Sequence, residues 1–177
     1  MKYILTGQET ERLKFRLLKP EDFDDWVPLF KAKNVAKYLD LDSKLSATEL
    51  SKIWFDKVFH RYENDLGGMN VLIDKKTNRL VGHCGILVQT IENMKRLEIG
   101  YGILPEFWNK GFASEAATKC RDYAFKNNFS NLLMSMVHID NIGSEKVALK
   151  NGMTFEKKIK NFNIFSMNKN HWNLLNQ

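Results

Sequence analysis

Alternating apolar and charged positions mark the beginning of the chain. Leu13, Phe15 and Leu17 alternate with basic residues, which is the period-two pattern of a half-buried strand within residues 9–18. Pro20 follows shortly afterwards and predicts that a helix begins there. The hydrophobic pattern therefore indicates a change from strand to helix at this point.

Two helices are predicted in the first third of the chain. In the first, apolar residues recur at helical spacing, although Pro28 within the pattern predicts a kink or a break. The second is indicated by the capping-box pattern Ser46-x-x-Glu49 and is predicted to run to about Tyr62. The two apolar stripes consist of Phe23, Trp26, Val27 and Phe30 in the first helix and of Leu50, Ile53, Trp54 and Val58 in the second.

The apolar period changes again after Gly67 and Gly68. Three strands separated by short turns are predicted, and we expect them to form an antiparallel meander. A helix follows whose inner face consists of small residues, and such a face lets a helix lie close to a sheet. The predicted elements are strands at 69–74, 79–90 and 96–104, a hairpin turn at 75–78, a helix at 111–125, a strand at 132–137, a short helix at 143–151, and strands at 154–160 and 165–174.

This order of elements predicts an α+β fold. We expect the strands to form a central mixed, mostly antiparallel sheet of about six to seven strands. Helices would cover both faces, which gives a three-layer α/β/α arrangement. No internal repeat and no Gly-, Ser- or Pro-rich linker divides the sequence. We therefore expect residues 1–177 to form a single domain.

Composition indicates a folded protein in a reducing compartment. Of the 177 residues 44% are hydrophobic, while 10 are glycine and 3 are proline, which excludes a disordered or collagen-like chain. No apolar run approaches the length of a membrane span and no secretory signal is recognisable, so we expect a cytoplasmic protein. The cysteines, Cys84 and Cys120, are too few for a disulfide framework.

Positive charge is concentrated near the C-terminus. The net charge is +6, and residues 150–177 contain five lysines but a single acidic residue, Glu156. Such a patch attracts a polyanion, which here means a nucleic acid, an acidic protein or a phosphorylated cofactor. The alternative is a solvated strand edge protected by lysines. The lysines are Lys150, Lys157, Lys158, Lys160 and Lys169.

Candidate chemistry is concentrated between the third meander strand and the small-residue helix. The strand ends at Pro105, and a short loop with Lys110 and Gly111 leads into the helix. A helix N-terminus directs unpaired amides outward, Gly111 lets a phosphate approach the main chain, and Lys110 adds a positive charge. The segment therefore predicts an anion-binding site, the alternative being an ordinary loop before a core helix.

Two common phosphate-binding patterns do not account for this segment. The P-loop pattern G-x-x-x-x-G-K-[ST] does not occur in the sequence. The dinucleotide-binding fingerprint requires a third glycine after Gly100-x-Gly102, but Pro105 occupies that position. Both patterns are therefore rejected.

Residues 105–116 resemble the pyrophosphate loop of the GNAT acyl-CoA N-acyltransferases, whose core pattern is [Q/R]-x-x-G-x-[G/A]. Gly111 and Ala113 match, whereas Trp108 stands where the broad family has Gln or Arg. A tryptophan at this position is familiar in the ribosomal-protein N-terminal acetyltransferase branch, which is called RimJ/RimL-like. Residues 10–16, 80–85 and 141–153 resemble further motifs of that branch, so the resemblance covers nearly the whole chain in order.

The resemblance implies a site for acetyl-CoA between the strand ending at Leu104 and the strand at 132–137. The pantetheine arm would pair with main-chain groups of Ile103 and Leu104. Asn141 and Ser144 would approach that arm and the thioester, and Lys150 is either a phosphate partner or an exposed helix lysine. The pyrophosphate would bind the main-chain amides of Trp108, Asn109, Lys110, Gly111, Phe112, Ala113 and Ser114.

The implied reaction is direct attack of an amine on the thioester, without a covalent enzyme intermediate. A base must remove a proton from the amine, and Glu98 is the candidate, the alternative being a surface carboxylate paired with Arg96 or a lysine. Many family members use a tyrosine to protonate the departing thiolate, but Ala148 stands at that position. Ser144 or water is left as the proton donor.

Other catalytic chemistries have little support in the sequence. His83 and Cys84 are adjacent on a predicted strand, so their side chains should point to opposite faces and cannot form a catalytic pair. Cys120 is expected in the core of its helix, and the four histidines have no metal-ligand spacing. We therefore expect neither a cysteine nucleophile nor a metal site.

The leading function is N-acetyl transfer from acetyl-CoA to a primary amine, either a protein N-terminus, such as that of a ribosomal protein, or a small molecule. The acceptor pocket is expected between the first two helices and the loop joining the last two strands. The alternatives are a non-catalytic acyl-CoA-binding or regulatory module, motivated by Ala148, and an RNA- or ribosome-associated protein. The last lacks the paired aromatic strand motif of RNA-binding sheets, so direct nucleic-acid binding is not expected. Dimers are common in the branch, and a homodimer is a further expectation.

Overall fold

A computed structural model describes residues 2–175. Within that range the strands are β1 (Leu13–Arg16), β2 (Gly67–Asp74), β3 (Leu80–Ile91), β4 (Met94–Ile103), β5 (Leu132–His138), β6 (Thr154–Ile159) and β7 (Phe162–Asn168). The α-helices are α1 (Phe23–Lys31), α2 (Val35–Tyr38), α3 (Ala47–Glu63), α4 (Phe112–Lys126), α5 (Ile142–Lys150) and α6 (Lys169–Leu175). Short 3-10 turns occupy Pro20–Asp22 and Pro105–Phe107.

The strands form one mixed sheet in the order β1-β2-β3-β4-β5-β7-β6. Neighbouring strands are antiparallel except for β4 and β5, which are parallel. The predicted meander is the central part of this sheet, β2-β3-β4. The mixed, mostly antiparallel sheet predicted from the sequence is therefore confirmed.

Two adjacent residues of β3 show how helices cover both faces of the sheet. His83 packs against Trp26 of α1 and Trp54 of α3, with ring centroids 4.2 and 5.1 Å away. Cys84 points to the other face, where its Sγ lies 3.5 Å from Sγ of Cys120 in α4. The three-layer arrangement is confirmed, and so is the prediction that His83 and Cys84 cannot act as a pair.

The first predicted helix is not broken at its internal proline. Helix α1 continues through Pro28 to Lys31, and its buried side chains include Trp26, Leu29 and Phe30. These residues lie on both sides of the proline, so burial of the apolar stripe outweighs the loss of one main-chain hydrogen bond. Of the kink or break predicted at Pro28, the break does not occur. The short helix α2 that follows was not predicted.

The end of the chain also differs from the prediction. A strand over 165–174 was expected, but β7 ends at Asn168 and helix α6 follows. The Asn168 side chain accepts a hydrogen bond from the His171 amide at 2.8 Å, which is an N-cap interaction. Trp172 then packs on Phe125 of α4, and its indole donates to Asp122 at 2.7 Å. The cap and this long-range packing turn an apolar segment into a helix.

The predicted capping box at the start of α3 is confirmed. Ser46 Oγ accepts from the Glu49 amide at 3.3 Å, and the Glu49 carboxylate accepts from the Ser46 amide at 2.8 Å. The helix then runs to Glu63, close to the predicted end. Among residues 2–175, no helix combines the length and apolar character needed to cross a bilayer.

Candidate active site

Strands β4 and β5 separate soon after they meet. Their parallel register pairs only Leu97 with Leu133 and Glu98 with Met134, whereas β5 pairs with β7 along its full length. Just beyond this register, Ser135 Oγ donates to the Ile99 carbonyl at 2.8 Å, so a side chain replaces a main-chain contact. The two strands therefore enclose a wedge-shaped opening in the middle of the sheet.

The main-chain groups of β4 determine what this opening can bind. The Leu104 amide donates to the Val81 carbonyl at 2.9 Å, and the Leu104 carbonyl accepts from the Phe107 amide at 2.9 Å. Because main-chain groups alternate in direction along a strand, the amides of Tyr101 and Ile103 face the β5 side. Leu104, which the sequence suggested for pantetheine binding, has its amide engaged with β3 instead. Tyr101 and Ile103 are the better-placed residues.

Trp108 occupies part of the predicted pantetheine edge. Its indole Nε1 donates to the Ile103 carbonyl at 2.6 Å, and 45% of the residue remains exposed. The contact ties the turn after the 3-10 segment Pro105–Phe107 to the end of β4. It leaves the amide of Ile103, rather than its carbonyl, for a ligand in the opening.

A cavity of about 280 Å³ lies at the opening between β4 and β5. Three of the residues predicted from the sequence, Glu98, Asn141 and Ser144, line it together. At its outer end the lining includes Trp54 and Lys57 of α3 and Phe162 at the start of β7. Of the elements expected to form the acceptor pocket, the first two predicted helices and the loop joining the last two strands, α3 lines this cavity, and Phe162 lies directly after that loop. Helix α1 does not line the cavity, and the last residue of α2, Tyr38, lines it together with the two residues that follow, Leu39 and Asp40.

Glu98 is a buried carboxylate at the base of this cavity. It is 8% exposed, and it accepts hydrogen bonds from Gln89 Nε2 at 2.6 Å and from the Met136 amide at 3.4 Å. Burial raises the pKa of Glu98, and the Gln89 and Met136 hydrogen bonds and the positive charge of Arg61 oppose this rise only in part. Arg96 pairs instead with Glu156 at 2.6 Å, so the alternative of a surface carboxylate paired with Arg96 is wrong.

Asn141 and Ser144 begin helix α5. Asn141 is its N-cap and accepts from the Ser144 amide at 3.1 Å, which explains why an asparagine precedes the serine by three positions. The Ser144 carbonyl in turn accepts from the Tyr101 hydroxyl at 2.8 Å. Ala148 lies one turn further along α5 and is fully buried. The motif residues are therefore brought to the opening, and Tyr101, which the sequence analysis missed, joins them.

The predicted anion-binding turn precedes α4. Gly111 is the N-cap with φ +81°, the preceding Asn109 has φ +59°, and no side chain caps the helix. The first amides of α4, those of Phe112, Ala113 and Ser114, consequently lack a side-chain acceptor. Lys110 places its ammonium 5.2 Å from the Phe107 ring centroid. The turn has the uncapped helix N-terminus and the positive charge that favour an anion.

A pair of charged residues holds this turn in place. Arg12 Nη1 donates to the Lys110 carbonyl at 2.9 Å, and Arg12 Nε lies 2.6 Å from Glu115. Thr10 Oγ1 also donates to the Glu115 carboxylate. Burial raises the pKa of Glu115, but the contacts with Thr10 and Arg12 outweigh it and lower the pKa overall. This bracing explains Thr10 and Arg12 in the motif at residues 10–16, for which the sequence alone suggested no role.

The five lysines of the predicted basic segment do not lie together, and Lys160 follows β6 while Lys169 begins α6. Lys150 lines a shallow surface depression beside α4. The other lining residues are Thr10, Ser114, Thr118 and Lys119 and the acidic residues Glu9, Glu115 and Asp122. Lys157 and Lys158 lie on β6, which is an edge strand of the sheet. The lysine-rich segment is thus split, and the interpretation as a protected strand edge fits its β6 part.

Cys84, Cys120 and His83 do not form another catalytic group. Cys84 and Cys120 are fully buried, and burial raises the pKa of the Cys120 thiol, which disfavours the thiolate. Burial lowers the pKa of His83 to about 3, so this imidazole is neutral. Over the described part of the chain, residues 2–175, no group of three or more metal-ligating side chains is assembled.

Comparison with known proteins provides independent information on the fold. Residues 12–154 match the family model for the acetyltransferase (GNAT) domain. The chain is 32% identical over 158 residues to a Bacillus subtilis (strain 168) protein, "Uncharacterized protein YkkB", covering 87% of this chain and 88% of the relative. It is 33% identical over 154 residues to "Uncharacterized N-acetyltransferase p20" of Bacillus licheniformis, covering 84% and 82%.

Solved structures share the architecture at lower sequence identity. An acetyltransferase from Agrobacterium tumefaciens str. C58 has a TM-score of 0.75 at 22% identity, covering 90% of this chain and 92% of that one. RimL, a ribosomal L7/L12 alpha-N-protein acetyltransferase in complex with coenzyme A, has a TM-score of 0.73 at 16% identity, with 92% and 97% covered. A Vibrio cholerae spermidine N-acetyltransferase in complex with CoA and spermine has a TM-score of 0.68 at 17% identity, with 92% and 99% covered.

Proposed function

The chain belongs to the GNAT acetyltransferase family, and from this premise we propose that it transfers the acetyl group of acetyl-CoA to a primary amine by direct attack in a ternary complex. The observation that carries the proposal is the buried carboxylate of Glu98 at the base of a cavity that opens between β4 and β5. In the proposed complex the thioester would enter this cavity from one side and the amine from the other. A carboxylate with a raised pKa in that position suits proton removal from an amine.

Acetyl-CoA would bind along the opening and over the start of α4. The pantetheine arm would pair with the β4 amides of Tyr101 and Ile103 as an added strand. The pyrophosphate would accept hydrogen bonds from the amides at 109–114, with Lys110 and Arg12 as nearby positive charges. The Trp108 amide, which the sequence also suggested, donates to the Pro105 carbonyl at 3.2 Å instead. Lys150 and Ser114, which line one surface depression, would contact a further phosphate.

The proposed reaction needs no covalent enzyme intermediate. Glu98, directly or through a water, would take a proton from the ammonium form of the acceptor, and the neutral amine would attack the thioester carbonyl. The Ile103 amide would stabilise the oxyanion, and alignment of the two substrates would supply much of the rate enhancement. As the C–N bond forms, the C–S bond breaks and the thiolate leaves, with Ser144 or water as the proton donors suggested by the sequence.

Two acceptor classes are compatible with the cavity. The RimJ/RimL-like motifs and the structural likeness to RimL favour a protein N-terminal amine. The alternative acceptor is a small-molecule amine, since a spermidine N-acetyltransferase solved in complex with CoA and spermine has a similar fold. Cys84 and Cys120 are free thiols in the core, which is typical of a protein in a reducing compartment. The acceptor would therefore be a cytoplasmic amine. We also propose a homodimer, because dimers are common in the RimJ/RimL-like branch.

Thiol release from acetyl-CoA tests this function. The purified protein is mixed with acetyl-CoA and, in separate reactions, with N-terminal peptides of ribosomal proteins, polyamines and amino sugars, and free thiol is followed with a chromogenic disulfide. We expect amine-dependent release with one acceptor class. Micromolar binding of acetyl-CoA without thiol release on any amine would contradict the proposal and favour the non-catalytic acyl-CoA-binding module.

A further inference from the structure

Three polar side chains are joined by hydrogen bonds from α3 to the base of the cavity. Arg61 Nη2 donates to Gln89 Oε1 at 3.1 Å, and Gln89 Nε2 donates to the Glu98 carboxylate at 2.6 Å. All three residues line the cavity between β4 and β5. Glu98 thus accepts a hydrogen bond from a side chain that is itself held by a positively charged residue.

The register of the sheet places Gln89 beside Glu98. In the antiparallel pair of β3 and β4, Glu98 lies opposite Leu87, and Gln89 lies two residues further along β3. Side chains two residues apart on a strand share one face, so Gln89 is the diagonal neighbour of Glu98. The contact between them therefore follows from strand pairing.

The Arg61 guanidinium determines which way the Gln89 carboxamide faces. Arg61 Nη1 also donates to the main-chain carbonyls of Leu66 and Val88, both at 3.1 Å, so the guanidinium is held by three acceptors. A guanidinium only donates hydrogen bonds, and a carboxylate only accepts them. The Gln89 oxygen must consequently face Arg61, which directs the amide nitrogen to Glu98. The reversed carboxamide would lose both contacts.

We propose that Arg61 and Gln89 are positioning residues that hold the Glu98 carboxylate in one orientation and favour its ionised form. The inference rests on the proposed function and deepens it, because it states what prepares the base for the acceptor amine. Gln89 and the Met136 amide each donate to a different oxygen of the carboxylate. A carboxylate has about four lone-pair sites, so each oxygen can still accept a proton from the amine.

The groups around Glu98 act on its ionisation in opposite directions. Burial raises the pKa of Glu98, whereas the hydrogen bonds from Gln89 and Met136 and the positive charge of Arg61 lower it. Loss of the Gln89 hydrogen bond should therefore raise this pKa further. The other ionisable groups near Glu98 are Asp40, Lys57, Tyr101 and His138, which line the same cavity, and Arg96 of β4, which pairs with Glu156.

Gln89→Met tests the proposal, because methionine has a similar length but donates no hydrogen bond. The pH at which kcat is half-maximal should rise by about one unit, since the base must be ionised to act. The Kd of acetyl-CoA should change less than about threefold, because Gln89 lies away from the turn before α4. Gln8→Met makes the same chemical change at a residue that does not line the cavity, and it should keep the wild-type pH profile.

A double-substitution cycle with Glu98→Gln distinguishes positioning of the base from general support of the fold. Below the half-maximal pH of the wild-type protein, Gln89→Met should lower kcat about tenfold, which corresponds to the shift of one unit. In the Glu98→Gln protein no carboxylate remains to be positioned, so the same substitution should lower kcat less than about twofold. A purely structural role would give equal losses in both proteins.

Two results would overturn the proposal, namely an unchanged half-maximal pH in Gln89→Met or equal losses of kcat in the two proteins. Arg61→Met should raise the half-maximal pH at least as far, and a folded variant with the wild-type value would remove Arg61 from the proposal. Arg61 also holds two main-chain carbonyls, so Gln89→Met decides the result if Arg61→Met does not fold. In each case the wild-type protein still transfers acetyl groups, whereas a wild-type protein without turnover on any amine overturns the proposed function itself.

Discussion

Arg12 and Glu115 lie 103 positions apart in the sequence, yet Arg12 Nε is 2.6 Å from the Glu115 carboxylate. The pair joins the start of β1 to the first turn of α4. Because Arg12 also bonds the Lys110 carbonyl, it holds the turn that would receive the pyrophosphate. The shape of that turn therefore depends on a contact from the residue that precedes β1, an edge strand of the sheet.

Loss of this pair should weaken cofactor binding. We expect Glu115→Gln to raise the Kd of acetyl-CoA about three- to tenfold, because Arg12 loses its charged partner and the turn loses its brace. Isothermal titration of acetyl-CoA measures the change. Glu106→Gln is the matched control, since Glu106 forms an exposed pair with Arg79 and should leave Kd within about twofold. Equal effects of the two substitutions would contradict the bracing role.

Two substitutions of Gly111 distinguish the effect of backbone strain on stability from the effect of charge on acetyl-CoA binding. With φ +81°, Gly111→Ala should cost about 1 kcal/mol of stability, and Gly111→Asp should cost a similar amount. The aspartate should in addition lower acetyl-CoA affinity at least tenfold relative to the alanine, because a carboxylate would face the phosphates. Thermal unfolding and titration with acetyl-CoA report the two effects.

Gly7 offers the control for that experiment. It has the same φ of +81° and open space around it, and it lies outside the candidate site. Gly7→Asp should therefore change stability without changing acetyl-CoA affinity. If Gly111→Asp binds acetyl-CoA as Gly111→Ala does, the turn is not the pyrophosphate site.

Glu98 should control the pH dependence of the reaction. A base must be ionised to act, so kcat should fall as the pH drops through the pKa of Glu98, and that fall should begin at a higher pH than for an ordinary glutamate because burial raises this pKa. Glu98→Gln should lower kcat about 10²- to 10⁴-fold and remove that fall. Initial rates between pH 5 and 9 measure it, and an unaltered profile in the variant would eliminate Glu98 as the base.

The buried His83 should make the fold sensitive to acid. Its pKa is lowered by burial to about 3, while an unfolded histidine titrates near 6.5, so the unfolded chain binds more protons between these values. The free energy of unfolding should therefore decrease as the pH falls through this range, by at most about 1.4 kcal/mol per pH unit from this residue.

Urea unfolding at pH 7 and pH 5 measures this dependence. We expect His83→Gln to unfold at lower urea at both pH values, because the packing between Trp26 and Trp54 is disturbed, but with a smaller difference between them. His60→Gln, at an exposed position of α3, should retain the wild-type difference. If His83→Gln keeps the wild-type difference in stability between pH 7 and pH 5, a group other than His83 causes that difference.

Much of the candidate site was predictable because its signals are local. The turn before α4 needs a glycine at a positive φ and an uncapped helix, and both features are encoded within residues 108–114. Asn141 and Ser144 belong to one N-cap interaction, which acts over three positions. Glu98 was found from its place on the strand that leads to the turn, although its burial was not known.

The sequence by itself determined the order of most elements, the capping of α3, and the glycine turn, since each depends on neighbours within a few positions. Tertiary structure alone decided that Leu104 turns its amide to β3, that α6 replaces the end of a strand, and that Tyr101 meets Ser144 across 43 positions. These outcomes depend on where β5 leaves β4 and on which helix packs against which face. These long-range contacts depend on burial and strand pairing over the whole sheet, and no short stretch of residues encodes them.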